Sequence, residues 1–165
     1  MRIQQLINAR RIFLSDGGLE TYQIFEKGND LTCLSAAVLL DTEEGRHDLT
    51  AYFERFIGIA KSTGRGFILA APTWRSGTAW AGPLGQTLKD VIETNGRAGS
   101  FMRKLREQHE TDDCQILVNG LVGPAGDAYA PDTEISAQEA LLIHAPQIHA
   151  LGKAGVDMIT AMTLG

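Results

Sequence analysis

Apolar residues along this chain alternate between two rhythms. Short runs (Ile12-Phe13-Leu14, Phe67–Ala71, the Ile116-Leu117-Val118 centre of 115–119, and Val156–Ala161) have the length and bulk of strands buried on both faces. Between them, apolar positions recur every three or four residues. Leu49, Tyr52, Phe53, Phe56, Ile57 and Ala60 follow the i, i+3, i+4, i+7 spacing of one helix face. The pattern predicts strands at 11–15, 67–71, 115–119 and 156–161, separated by helices at 49–60, 87–109 and 136–153. Shorter helices are expected over 20–26 and 34–40, and residues 1–10 read as a helical turn. Strands alternating with helices long enough to cross over imply parallel pairing through right-handed βαβ units, an α/β fold. Nothing in the pattern marks a boundary, so residues 1–165 read as one domain.

Local punctuation supports these bounds. Gly28 offers a left-handed stop after the short helix, and Asp41-Thr42-Glu43-Glu44 places acids in a first turn, where the helix dipole favours them. Ser62-Thr63-Gly64 ends the third helix, and Ser136-x-x-Glu139 is a capping box for the last. Pro146 is expected to kink or break that last helix, because its ring removes a donor. Gly96 and Gly99 weaken the helix over 87–109. Residues 78–85, with Trp80 and two glycines around Pro83, read as an irregular lid-like loop, and Pro131–Glu134 as a turn. Asn119 is expected to point into the sheet's inner side and bond across it.

Composition narrows the class. A chain of 165 residues supports one core but is short for a closed eight-fold barrel, which needs roughly 250. A net charge of −5, with 15 basic residues scattered along the chain, argues against nucleic acid or an anionic membrane as partner. No apolar run approaches the roughly 20 residues of a membrane span, and the N-terminus lacks a signal-peptide core. Cys33 and Cys114 lie far apart with no CxxC or Cys/His spacing, as expected of reduced thiols in a cytoplasmic protein.

The densest candidate chemistry lies between Arg11 and Thr21. An apolar run leads into Ser15-Asp16-Gly17-Gly18, which holds an acid at the carboxyl end of a strand, where α/β proteins place ligands. The plainer alternative is Asp16 as a cap of the next helix. Thr73-Trp74-Arg75 leaves the second strand, and Trp74 either walls a pocket or packs. Gly123-Pro124-Ala125-Gly126, with Asp127 and Tyr129, is either a ligand-shaped loop or a rigid turn. His144 and His149, five apart, do not share a helix face as a metal pair would. His47 and His109 read as solvated, and the run 43–48 as a charged helix face.

Together these segments resemble the homocysteine S-methyltransferase family. The family's Asp-Gly-Gly-x-x-Thr opening is matched by Asp16–Thr21. Its Gly-Asp-Leu turn is matched by Asn29-Asp30-Leu31, and its Trp-Ser-Ala segment by Leu34-Ser35-Ala36, without the Trp. Thr73-Trp74-Arg75 stands where the family has a Thr/Ser-Tyr-Gln-like loop. Gly123-Pro124-Ala125-Gly126 matches Gly-Pro-x-Gly, and Ala154-Gly155-Val156-Asp157 matches Ala-Gly-x-Asp. The family's Glu-Thr after the fourth strand is here Met162-Thr163.

The resemblance implies a (β/α)8 TIM barrel, of which this chain would be the first four βα units, a half-barrel ending after the fourth strand. It implies methyl transfer to a thiol such as homocysteine, in methionine metabolism, with a small-molecule thiol and a methyl donor as partners. It also implies a substrate site at Asp16, Gly17, Gly18, Thr73, Trp74, Gly123, Asp127 and Thr163. Zinc is the implied cofactor. Its three cysteines belong to the family's second half, one after a later strand and two in a Gly-Gly-Cys-Cys turn, and neither motif occurs here. The chain alone is therefore expected to hold no metal ligands and to be inactive, with its catalytic residues unassigned. Met162 cannot accept an ammonium proton as a carboxylate does, which leaves room for a zinc-free relative with another substrate. A further alternative is a non-catalytic half-barrel that self-associates as a homo-oligomer, because four strands leave two edges and an apolar face uncovered.

Overall fold

Each apolar run forms a strand, and the four strands pair in parallel in the order β1-β2-β3-β4. The protein is described here from a computed structural model, which covers residues 2–8, 10–127 and 135–164. The strands are β1 (Phe13–Ser15), β2 (Gly66–Ala70), β3 (Ile116–Val122) and β4 (Met158–Ala161). The helices are α1 (Arg2–Asn8), α2 (Leu19–Phe25), α3 (Glu43–Ser62), α4 (Leu88–His109) and α5 (Ala137–Lys153). Spatial order equal to chain order is the arrangement of successive βα units in a barrel, whereas a doubly wound sheet reverses order at a switch point.

Alternation along the strands divides the side chains between two layers. Phe67, Leu69, Ile116 and Val118 join Leu49, Phe53, Ile57 and Met102 in the core between sheet and helices. The other face carries Phe13, Ile68, Leu121 and Met158, all half-buried. Asn119 lies on this inner face and accepts a hydrogen bond from Thr160 at 3.0 Å, across the β3–β4 pair.

Several boundaries differ from the sequence pattern for physical reasons. The stretch expected as a helix over 34–40 is two tight 3-10 turns, Thr32–Leu34 and Ala36–Asp41. The second lies so close beneath α3 that a Cβ at Gly45 would overlap the Leu39 carbonyl. The run 43–48 thus contains a packing contact as well as a charged face. β3 extends to Val122, so Gly120-Leu121 is strand rather than loop. Residues 78–85 begin with a 3-10 turn, Thr78–Trp80. His109 pairs with Glu54 at 3.1 Å instead of standing solvated.

Pro146 does not break the last helix: α5 runs continuously through it. The Ile143 carbonyl of this helix accepts a 2.7 Å hydrogen bond from the Thr78 hydroxyl, which ties α5 to the loop after β2. The expected capping box of Ser136 with Glu139 forms, and a second, Thr87 with Asp90, opens α4. The turn expected at 131–134 lies outside the described residues. Among those described, no helix is long and apolar enough to cross a membrane.

The Ala154–Asp157 segment is a structural splice. The Asp157 carboxylate accepts the Val118 N–H and an Arg106 N–H, both at 2.8 Å, and its own N–H donates to Val118 O at 2.8 Å. This fixes the entry of β4 beside β3, at the end of the sheet opposite the loops considered next.

Candidate functional site

The turn after β1 presents its acid to the site rather than to the helix. Gly18 takes the left-handed conformation at φ 72° and occupies the cap position of α2, with no side-chain cap. Asp16 is therefore not spent as a helix cap. Its carboxylate instead accepts a 3.1 Å hydrogen bond from the Tyr52 hydroxyl, which also lies 2.9 Å from the Gly17 carbonyl oxygen. Tyr52 comes from α3, is 2% exposed, and packs against the rings of Tyr22, Phe53 and Phe56. A buried phenol holding two groups of one turn fixes that turn's geometry.

Charge in this corner is expensive. Burial raises the Asp16 carboxyl above its usual range, opposed by the Tyr52 hydrogen bond. Burial also raises Glu20, in the first turn of α2; Asp16 adds to that shift and Arg75 opposes it. Burial first, and then the negative charge of Asp16, hold the Tyr52 phenol protonated.

The loop after β2 is clamped from three sides. Thr73 is fully buried. Its hydroxyl donates to Leu121 O at 2.8 Å and receives the Leu121 N–H at 3.2 Å, tying the end of β2 to β3. The buried Gln147 amide of α5 donates to Thr73 O at 2.7 Å and to Asn95 Oδ1 at 3.2 Å. Asn95 of α4 in turn donates to Ser76 O at 2.8 Å.

Above this clamp, Arg75 lies between two indoles, its guanidinium carbon 4.7 Å from the Trp74 ring centre and 4.3 Å from that of Trp80. Each indole N–H reaches a different strand end. Trp74 donates to the Thr163 hydroxyl at 3.0 Å, just past β4, and Trp80 donates to Pro124 O at 2.8 Å, just past β3. Gly123 lets the third loop approach: a Cβ there would overlap the Trp74 carbonyl and indole.

Of the residues expected from sequence, Asp16, Gly17 and Gly18 lie at the carboxyl end of β1, Thr73 and Trp74 at that of β2, Gly123 at that of β3, and Thr163 at that of β4. Direct contacts join Trp74 to Thr163 and to Gly123. Thr73 presents no unspent hydroxyl. Asp127 is exposed at the outer limit of its loop, and Tyr129 lies outside the described residues. Sequence reading left Tyr52, Glu20, Arg75, Trp80 and Gln147 without a role in the site. The available signals were a tyrosine within an apolar stripe and an arginine flanked by tryptophan. An open groove elsewhere, lined by Ile92, Arg97, Phe101 and Lys104 of α4 among others, lies on the helical side of the sheet.

Neither cysteine belongs to a metal cluster. Cys33 is half-buried in the turn after α2, Cys114 is buried just before β3, and both are free. Burial pushes the Cys114 thiol up, away from the thiolate a metal needs. Among the described residues, no group of three His, Cys, Asp or Glu side chains could hold a metal ion. The described residues do not fit zinc.

Four parallel strands in chain order, with converging loops at their carboxyl ends, define half of a (β/α)8 enzyme fold. A family profile described as homocysteine S-methyltransferase matches residues 13–165, and the chain belongs to that family. Among solved structures it is similar to the homocysteine methyltransferase MmuM from Escherichia coli. The oxidised form superposes with a TM-score of 0.76 at 23% identity, over 98% of this chain and 56% of that one. The metallated form gives 0.75 at 23% identity, over 98% and 57%. The apo form gives 0.58 at 20% identity, over 96% and 52%. At such identities the likeness is one of fold. The chain spans about half the length of these structures. No curated protein matches the sequence.

Proposed function

We propose that this chain carries the acceptor-binding side of an S-methyltransferase that moves a methyl group from a small donor onto a thiol such as homocysteine. The observation that carries this reading is the Asp16-Gly17-Gly18 turn, held open at the carboxyl end of β1 by Tyr52 with its carboxylate not used as a helix cap. Asp16, Gly17 and Gly18 bind and orient the acceptor. Trp74, Gly123 and Thr163 shape the wall around it, and Asp127 lies at its rim. Thr73 holds that wall in place from beneath. The family and the metallated relative imply a metal, but these residues do not form its site, so no step is assigned to it here. The family and the free thiols favour a cytoplasmic enzyme of methionine metabolism.

The test is binding, followed by NMR on the purified chain titrated with homocysteine. Saturable binding that Asp16→Asn weakens about tenfold is expected, the order of one charge-assisted hydrogen bond. Binding unaffected by that substitution rejects the role given to the turn.

A second reading is favoured by the uncovered inner face and the open backbones of β1 and β4. Two copies, each joining its β4 to the partner's β1, would close eight strands about a twofold axis and leave no edge. Sedimentation velocity would then give a species of twice 17.9 kDa at all working concentrations. A monomer throughout eliminates this reading.

A further inference from the structure

Arg75 is the most heavily buried charged side chain among the described residues at the strand ends, only 9% exposed, and none of those residues forms an ion pair with it. Of its five N–H donors, one reaches a protein acceptor, the neutral carbonyl of Cys33 at 3.3 Å. The Nε atom is buried without any partner. Among the described residues no carboxylate forms an ion pair with it. A buried guanidinium with most of its donors unspent is costly, and native proteins keep such a group where something else completes it.

The surroundings define what can complete it. Trp74 and Trp80 both pack on the guanidinium, while its N–H groups stay largely unspent, and a planar fork of N–H groups matches the two oxygens of a carboxylate. The stack is anchored by loops from three other strands. Cys33 follows the first βα unit, Pro124 follows β3 and receives Trp80, and Thr163 follows β4 and receives Trp74. The guanidinium therefore stands at the convergence of all four strand ends. Glu20 is near enough to feel its charge, but among the described residues no ion pair joins the two side chains.

We infer that Arg75 is a carboxylate subsite, and that the thiol this protein accepts is a thiol acid whose carboxylate docks against the guanidinium beside the two indoles. The thiol part of this statement rests on the methyltransferase reading, but the carboxylate part does not. This anchor reads the acid group of the ligand, so a thiol acid without an amine is expected to bind.

The protein carries its own reporter. Its two tryptophans are Trp74 and Trp80, so all indole fluorescence comes from the rings stacked on Arg75. We would titrate the purified chain with 3-mercaptopropionate, propionate and 2-mercaptoethanol at fixed chloride and ionic strength. A saturable fluorescence change is expected with the two carboxylates and none with the neutral thiol. Arg75→Gln should weaken the carboxylates at least tenfold while leaving the far-UV circular dichroism unchanged. Arg75→Lys, which keeps the charge but loses the fork, should weaken them several-fold, and it serves as the deciding variant if Arg75→Gln does not fold. An equal response to 2-mercaptoethanol, or carboxylate affinity unchanged in the folded variant, overturns the subsite. Propionate binding lost in Arg75→Gln, without any Asp16-dependent homocysteine binding, would keep the subsite and reject the methyltransferase reading. The reverse pattern would do the opposite.

Discussion

Asp16 could be found from sequence because an apolar run followed by Asp-Gly-Gly can hardly be anything but a strand exit. Its fixing partner could not. Tyr52 occupies a core position of a helical stripe, and only the three-dimensional approach of α3 to the β1 turn reveals that its hydroxyl is used. Arg75 was equally hidden, since its burial depends on Trp80 and on the Cys33 carbonyl, 42 positions away. The Asp16 environment makes a prediction about stability. Its pKa is raised above the usual 3.8 by burial, so the folded chain binds this proton more tightly than the unfolded one. The associated stability is fully present below the unfolded value and is lost as pH rises through the folded one. Acidification from neutrality toward pH 4 should therefore raise the Tm of the wild type relative to Asp16→Asn. A difference that shrinks or stays flat contradicts the burial argument.

The long helices and the Ser136–Glu139 capping box were legible because periodicity and caps are local signals. Elements set by contact were not. The 3-10 turn before α3 is shaped by the approach of Gly45 to Leu39, and α5, which runs on through Pro146, is tied by its Ile143 carbonyl to Thr78 on a different loop. Gln147 shows the same limit. In sequence it is one polar residue in a helix, yet it is 1% exposed and joins α5, α4 and the β2 loop through Thr73 O and Asn95. Replacing it with Leu orphans the Asn95 amide oxygen and leaves the Thr73 carbonyl with only the Ser76 N–H at 3.2 Å. Such a loss costs about 1–3 kcal/mol per orphaned group. Urea denaturation should show Gln147→Leu destabilised by that order, and a variant as stable as the wild type would mean the clamp does not hold the loop.

The parallel order of the strands followed from the alternation of runs and helices, and the barrel ancestry from the motifs at their ends. What the motifs did not reveal was their division of labour. Asp16–Gly18 and Gly123 stand at the carboxyl ends of strands, whereas Ala154–Asp157 splices β4 to β3 at the opposite end. The central claim is that the carboxyl ends of β1 to β4 together form the acceptor site of a homocysteine S-methyltransferase fold. It is tested most directly by mapping the homocysteine titration residue by residue on the amide and indole signals of the purified chain. The account predicts shifts concentrated at Gly17, Gly18, Glu20 and the two tryptophan indoles, and absent from the same sites in Asp16→Asn. Shifts confined to the α4 groove around Arg97 and Phe101, or no shifts at all at saturating homocysteine, would contradict it.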